Sequence, residues 1–479
     1  MLLPVHLDDG AAEEPPHLVV GARGVGVAVA QHRPHVVVAR DDVVLAAEHR
    51  EVRDRLQAAH LREHRIRIRE VEHELRVEGG GEVVHGRRRT LAPPAPARQP
   101  WLRLTPVAAA CYLRLHGRLG AVVTRTAPDP DVVPVRPGEE IDAAAVGAYV
   151  AGRLPDASGT PDIWQFPGGH ANLTYLLHYP GGTNYVLRRP PPGDLPASAH
   201  DMGREYRVLS VLYRAFPPAP RAFLYCEDTS VIGRPFFVME RRRGTVVRRE
   251  VPPEFGGGSD PVANRKLSRM MIDTLADFHA VDPKAAGLET LGRPEGYLAR
   301  QVKGWTDRWE RARTKDVAAA PEVIRWLTEH LPPAPPPTLV HNDWRLDNMA
   351  VAEDDPGRCV AVYDWDMCTL GDPFTDLGTL LSSWFEMGEE YAFLASMPSR
   401  TPGFMTRAEA IERYAERSGR DVRRMPYYYV FGLFKMAGVV QQLFHRWHKG
   451  QTTDDRMAGG EAVAEGLIGL ARAHIESHG

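Results

Sequence analysis

Apolar and polar positions alternate in short runs through the middle of the chain and then settle into helical spacing. Phe166 to Leu177 reads as strand, turn, strand, with Gly168 and Gly169 in the turn, and Asn184 to Arg188 is the next strand. Gly203 to Phe216 has helical spacing, after which Ala222 to Cys226 and Phe236 to Glu240 return to strand-like runs. Ahead of them, Arg136-Pro137-Gly138-Glu139-Glu140 leads into a helical pattern from Ile141 to Leu154. Further on, Ile272, Leu275, Ala276, Phe278 and His279 share one helix face, which makes His279 a core histidine rather than a ligand. Tyr427 to Phe444 has the look of a membrane span. However, Lys435, Gln441 and Gln442 interrupt it, and its apolar part is short for a bilayer. The expectation is a buried amphipathic helix, with no membrane as partner.

Residues 1–134 follow a different grammar. They contain no Lys, Phe or Asn, yet hold 19 Arg and 10 of the chain's 20 His, with Trp101 and Tyr112 the sole aromatics. A domain of that length ordinarily fills its core with aromatic side chains. Three readings stay open for it: an unfamiliar domain, a disordered extension, or sequence translated upstream of the true start. The basic run Arg87-Arg88-Arg89 is balanced by nearby acidic residues and reads as a solvated loop. Removing residues 1–134 is therefore expected to leave folding and activity intact. Ordinary globular sequence begins at Val135, dividing into 135–240 and 241–479.

Composition changes this picture little. At 43% hydrophobic and 25% charged, the 479-residue chain is that of a soluble globular protein. A formal net charge of -3 gives no electrostatic reason to expect nucleic acid. Cys111, Cys226, Cys359 and Cys368 are far apart and form no CxxC pair, which suits a reducing cytoplasm. Asp8, Asp9, Glu13 and Glu14 occupy the place where a secretory leader needs basic and then apolar residues.

Two apolar runs end in the residues that carry chemistry. Leu339-Val340 runs into His341-Asn342-Asp343-Trp344-Arg345-Leu346-Asp347-Asn348, and Val362-Tyr363 into Asp364-Trp365-Asp366. Phosphoryl transfer needs a carboxylate to accept a hydroxyl proton and oxygen ligands that place magnesium on a triphosphate. Asp343 is the candidate base, and Asn348 and Asp364 are the candidate metal ligands. His341, two residues before the base, is expected to brace the loop. Asp366 is left open between substrate and a second metal; were it to share a strand with Asp364, the two side chains would point the same way. Asp347 is a candidate cap for the turn and Arg345 a counter-charge for the carboxylates. Asp376 is expected to start a helix as its N-terminal acceptor and to tie the loop in place.

Together these segments resemble the aminoglycoside phosphotransferase family, which has the protein-kinase-like fold. The likeness extends from residue 135 to about 475. It is carried by Gly168 to Thr174, Tyr185 to Gly193, Asp228 to Gly233, His341 to Asn348, Asp364 to Asp366 and Leu370 to Gly378. It is strongest to kinase domains that precede acyl-CoA dehydrogenase modules in some larger proteins. The resemblance implies an α+β, two-lobed fold with a small antiparallel-sheet N-lobe and a mostly helical C-lobe. It further implies ATP and Mg2+, with Gly168, Gly169 and Asn172 against the phosphates. Arg188 takes the place of the strand lysine, and Glu205 is its helix partner. Met239 and Glu240 stand at the hinge, whose backbone would meet the base, while Arg241 to Arg243 reads as a solvated turn. Asn342 departs from the glycine commonly found there, and Asp366 from glutamate.

The implied activity is transfer of the γ-phosphate to a hydroxyl of a small molecule, a hydroxyacyl-CoA or related metabolite. Two alternatives remain: an aminoglycoside-type kinase, for which Glu386, Glu389 and Glu390 would supply acidic charge, and a non-catalytic nucleotide-binding relative. Trp305, Trp309, Trp384, Phe385 and the 427–444 helix are candidate pocket walls.

Overall fold

In the computed structural model, residues 127–167, 172–191, 201–389, 397–452 and 454–478 are described. Gly168, Gly169, Glu390 and residues 1–126 lie outside them.

Helix α1 (Ala143–Val150) is capped by Asp142, whose carboxylate accepts from the backbone of Ala144 and Ala145. Strands β1 (Asp162–Gln165), β2 (Leu173–His178) and β3 (Asn184–Arg189) form a meander, followed by α2 (Met202–Leu212). Next come β4 (Ala222–Cys226), the single-turn α3 (Thr229–Ile232) and β5 (Phe236–Glu240). The five strands make one antiparallel sheet in the order β1-β2-β3-β5-β4. Strand periodicity sorts its two faces. Tyr175, Leu177, Leu187, Phe236 and Val238 pack with Val146 and Val150 of α1. Val186, Phe237 and Met239 face the other way, onto Val208, Leu209 and Leu212 of α2.

Helices α4 (Pro261–His279), α5 (Tyr297–Ala312) and α6 (Ala320–Glu329) open the second lobe. Four short strands follow: β6 (Thr338–Val340), β7 (Met349–Ala352), β8 (Asp355–Val362) and β9 (Thr369–Gly371). Helices α7 (Pro373–Ser382), α8 (Arg407–Ser418), α9 (Met425–His448) and α10 (Gly460–His478) complete it. β6 pairs with β9, and β7 with β8. The loop 341–348 must therefore cross from one ribbon to the other, and 363–368 must cross back, so the two motif loops lie side by side. α7 and α9 cross at close range: a Cβ on Gly378 would come within 2.2 Å of the Tyr428 carbonyl, and one on Gly432 within 2.2 Å of the Gly378 carbonyl. Among the described residues no helix is long and apolar enough to cross a membrane. The 427–444 stretch forms the buried body of α9.

The division expected after residue 134 cuts through a packed segment. Val133 pairs with Gln165, and Val132 is buried with Trp164 and Leu176. Asp129 and Asp131 accept from Arg241 at 3.0 and 2.6 Å. Arg241, expected in a solvated turn, is thus a buried cation that ties this strap to the end of β5, with its guanidinium over the Phe166 ring.

Candidate active site

Both motif loops rest on an aromatic bed, for which the tryptophans interleaved with the carboxylates are responsible. Trp344 stacks on Phe278 of α4 at 5.8 Å and donates its indole N–H to the Met271 carbonyl. Trp365 meets Phe278 edge-on at 5.1 Å and donates to the Val362 carbonyl. With the tryptophans turned down, the adjacent Asp343, Asp364 and Asp366 face a cavity of about 1480 Å³.

His341 is fully buried. Its Nε2 lies 3.0 Å from the Tyr363 carbonyl, and its Nδ1 accepts from the Asp343 backbone N–H at 3.3 Å. The ring therefore braces the two loops against each other. Asp376 sits below, one carboxylate oxygen accepting from the His341 backbone N–H at 2.6 Å and the other from that of Asn342 at 2.7 Å. His279, the core histidine on α4, reaches the same carboxylate from Nε2 at 3.3 Å and Tyr414 from Nδ1. Burial holds the His279 pKa below its ordinary value, against the pull of Asp376. Burial pushes the Asp376 carboxyl up, yet His279, His341 and the backbone donors outweigh it, and the net direction is down. Asp376 does not start α7 as expected: Asp372 is the cap, accepting from Phe374, and Asp376 lies in the first turn with its carboxylate turned onto the loop.

Asn348 donates its amide nitrogen to the Asp343 carbonyl and carboxylate at 2.9 and 2.8 Å. Burial raises the Asp343 pKa, but Arg345, His341 and the Asn348 bond overcome it and keep the carboxylate ionised. Arg345 pairs with Asp347 as well, so Asp347 is an ion-pair partner rather than a turn cap. Asp364 has φ of 67° and Trp365–Met367 is a 3-10 turn, so Asp364 and Asp366 do not continue a strand and the common direction expected of them does not follow. Burial and the neighbouring Asp364 push the Asp366 carboxyl up to about 6.

Across the cavity, Arg188 projects from the same face of β3 as Val186. It pairs with Glu205 of α2 at 3.1 Å and with Asp364, linking strand, helix and loop. Burial pushes the Glu205 carboxyl up, to about 8, against the pull of Arg188. Burial acts on Arg188 in the opposite sense, but Glu205, Asp364 and Asp366 prevail and hold it charged. Asn172, Arg188, Met239 and Glu240 line the cavity. At the hinge, Met239 is paired within the sheet to Val186 and Ala222, and the Glu240 N–H donates to the Arg221 carbonyl at 2.9 Å. Trp305 also lines the cavity, whereas Trp309, Trp384 and Phe385 belong to the core. Glu386 and Glu389 bind Arg407 at 3.7 and 2.5 Å and stand outside the cavity.

Lys435 was not singled out by the sequence reading as a site residue. It is buried on α9, lines the cavity and donates to the Asn342 carbonyl at 2.7 Å. Its signal was available in the sequence as a lysine inside an apolar helical run, which is rarely buried without a partner.

A sequence profile of the phosphotransferase enzyme family (APH) matches residues 162–425, the span from β1 to the start of α9. The chain belongs to this family. Acyl-CoA dehydrogenase family member 11 of Gallus gallus is 32% identical over 332 residues, 67% of this chain and 41% of that protein. Family member 10 of Mus musculus is 30% identical over 347 residues, 71% of this chain and 32% of that protein. The chain thus spans under half the length of the curated relatives it matches. A crystal structure from Ralstonia eutropha, provisionally described as an aminoglycoside phosphotransferase, superposes with a TM-score of 0.62 at 28% identity, covering 71% of this chain and 99% of that one. The two-lobed kinase-like fold and phosphotransferase class expected from the sequence are those of the family.

Proposed function

We propose that this phosphotransferase moves the γ-phosphate of ATP to a hydroxyl group of a small molecule. The observation that carries the reading is the convergence of Asp343, Asn348 and Asp364 on one cavity, faced by the Arg188–Glu205 pair. Magnesium fits the donor set. The Asn348 amide nitrogen is committed to Asp343, which leaves its oxygen for a cation, and one Asp364 oxygen takes Arg188, leaving the other. Two oxygen donors suffice for an ion that keeps waters and borrows phosphate oxygens. When bound, it would neutralise charge building on the triphosphate.

Asp343 accepts the acceptor's proton as the hydroxyl oxygen bonds to the γ-phosphorus. The bond from that phosphorus to the β–γ bridging oxygen breaks, and ADP leaves with the electron pair. His341 and Asp376 keep Asp343 in position by holding the backbone on both sides of Asn342. Arg188 serves the phosphates as a guanidinium clamp. Asn172, which lines the cavity just before β2, approaches the phosphates, and Met239 covers one face of the base. Asp366 faces the acceptor or a second metal.

For the acceptor, the family 10 and 11 relatives favour a hydroxyacyl thioester or related metabolite over an aminoglycoside. The acidic residues that would serve an aminoglycoside, Glu386 and Glu389, are spent on Arg407. A reducing cytoplasm is the compartment this chemistry suits. A screen of hydroxylated metabolites with MgATP, read by mass spectrometry, tests the reading. One phosphate monoester should form per ADP released; release of free phosphate alone would reject an alcohol acceptor.

A further inference from the structure

Lys435, Val439, Leu443 and Arg446 follow one another on α9 at intervals of four, four and three residues, and all four line the cavity. That spacing keeps them on one helix face. Over eleven residues the stripe runs about 16 Å at the helical rise. Its inner end is Lys435, buried and bonded to the carbonyl of the residue before Asp343. Its outer end is Arg446, which is exposed. Between the two cations the lining is apolar.

Beside Lys435 stands Trp305, also buried and also lining the cavity. Its indole Nε1 is buried without a hydrogen-bond partner among the described residues. A buried donor left in that state calls for an acceptor. The Trp305 ring already carries two of the protein's own cations, the Arg308 guanidinium at 4.7 Å and the Lys435 ammonium at 5.9 Å. With both cations against that ring, a ligand's ammonium placed there would meet like charge. At the outer end the carboxylate of Asp454 is tied to Arg456 at 2.8 Å.

Resting on the phosphotransfer reading above, we infer that this stripe selects the acceptor. The acceptor is an elongated molecule whose reactive hydroxyl lies near an electron-rich oxygen received by Lys435 and Trp305. Its apolar stretch runs along Val439 and Leu443, and an anionic group reaches Arg446. Ammonium-bearing acceptors are excluded. Lys435 is a specificity residue that also positions the loop through the Asn342 carbonyl.

The test offers the full chain three acceptors of equal chain length with MgATP: a hydroxyalkanoyl thioester with an anionic tail, the matching alkanol and the matching amino alcohol. The thioester should exceed the alkanol by about 100-fold in kcat/KM, and the amino alcohol should not react. Arg446→Glu should raise KM for the thioester about tenfold with little change in kcat, as expected for a rim charge. Lys435→Met should shrink the advantage of the thioester over the alkanol to less than about tenfold, with Lys435→Arg restoring part of it. Equal use of the amino alcohol, or an unchanged KM in Arg446→Glu, would overturn the inference. Calorimetry with the unreactive deoxy thioester reads the same selectivity without turnover. If no acceptor is phosphorylated but this analogue binds and Arg446→Glu weakens it, recognition by the stripe stands and the phosphotransfer reading falls. If the analogue does not bind, the stripe inference falls whatever the turnover.

Discussion

Asn342 stands between His341 and Asp343 with φ of 68°, in the left-handed region that most side chains avoid. The family's common glycine at this place is explained by that angle, and asparagine is among the few other residues that tolerate it. Here it adds something glycine lacks: its side chain accepts from the Tyr297 hydroxyl at 2.7 Å and donates to the Met367 carbonyl at 3.0 Å. The loop's shape is therefore held from both sides of the cavity floor. Asn342→Gly and Asn342→Ala both forfeit these bonds, so their difference isolates the backbone. The alanine variant should be less stable than the glycine variant by about 1 kcal/mol in denaturant titration. Equal stabilities would mean that the loop relaxes out of the left-handed region. From sequence, the departure from glycine was visible, but the two side-chain bonds were not, because their partners lie 45 and 25 residues away.

At the scale of elements, the N-terminus of α7 shows where local pattern reading stops. A carboxylate at the head of this helix was expected to cap it, and one does, but it is Asp372. Asp376 faces the loop instead, a role set by the ribbon pairing that brings residues 341 and 342 beneath it. The two carboxylates titrate in opposite senses. Burial pushes Asp372 up to about 6, with the Tyr428 hydroxyl pulling the other way. A folded pKa above the unfolded value near 3.9 makes its contribution to stability greatest below about pH 4, lost progressively as pH rises to about 6. Asp372→Asn keeps a capping oxygen and removes this titration. Relative to the parent, the variant should gain stability between about pH 4 and 6, by up to about 1.4 kcal/mol per pH unit. Thermal melts across that window check it, and a constant difference would remove Asp372 from the pH response. Asp376, with its pKa held down, contributes in the reverse sense: its stabilisation is present above the unfolded pKa and is lost as pH falls through the lower folded one.

Across the whole molecule, the strands of the first lobe were legible because their periodicity is local, as was the position of loops 341–348 and 364–366 at the ends of apolar runs. Contacts that join distant segments were not: Arg188 meets Asp364 across 176 residues, and Lys435 meets Asn342 across 93. The edge of the folded unit was misplaced for the same reason. The shift to ordinary globular composition at residue 135 passes over Asp129 and Asp131, whose worth lies in the distant Arg241. Removing residues 1–134 would leave that buried guanidinium without its carboxylates, at a cost of about 3 kcal/mol or more. We predict a clearly lower melting temperature for that truncation than for removal of residues 1–126. Identical melting temperatures would show that the strap contributes nothing to the fold.

The most direct test concerns Asp343 as the proposed proton acceptor in a nucleotide-binding cavity. Asp343→Asn keeps the size of the side chain and an oxygen for Asn348, so MgADP affinity should stay near that of the parent. The rate constant for transfer to an accepted hydroxyl, measured in a single turnover, should fall by about 10²- to 10⁴-fold. Transfer by Asp343→Asn at the parent rate would contradict the central claim.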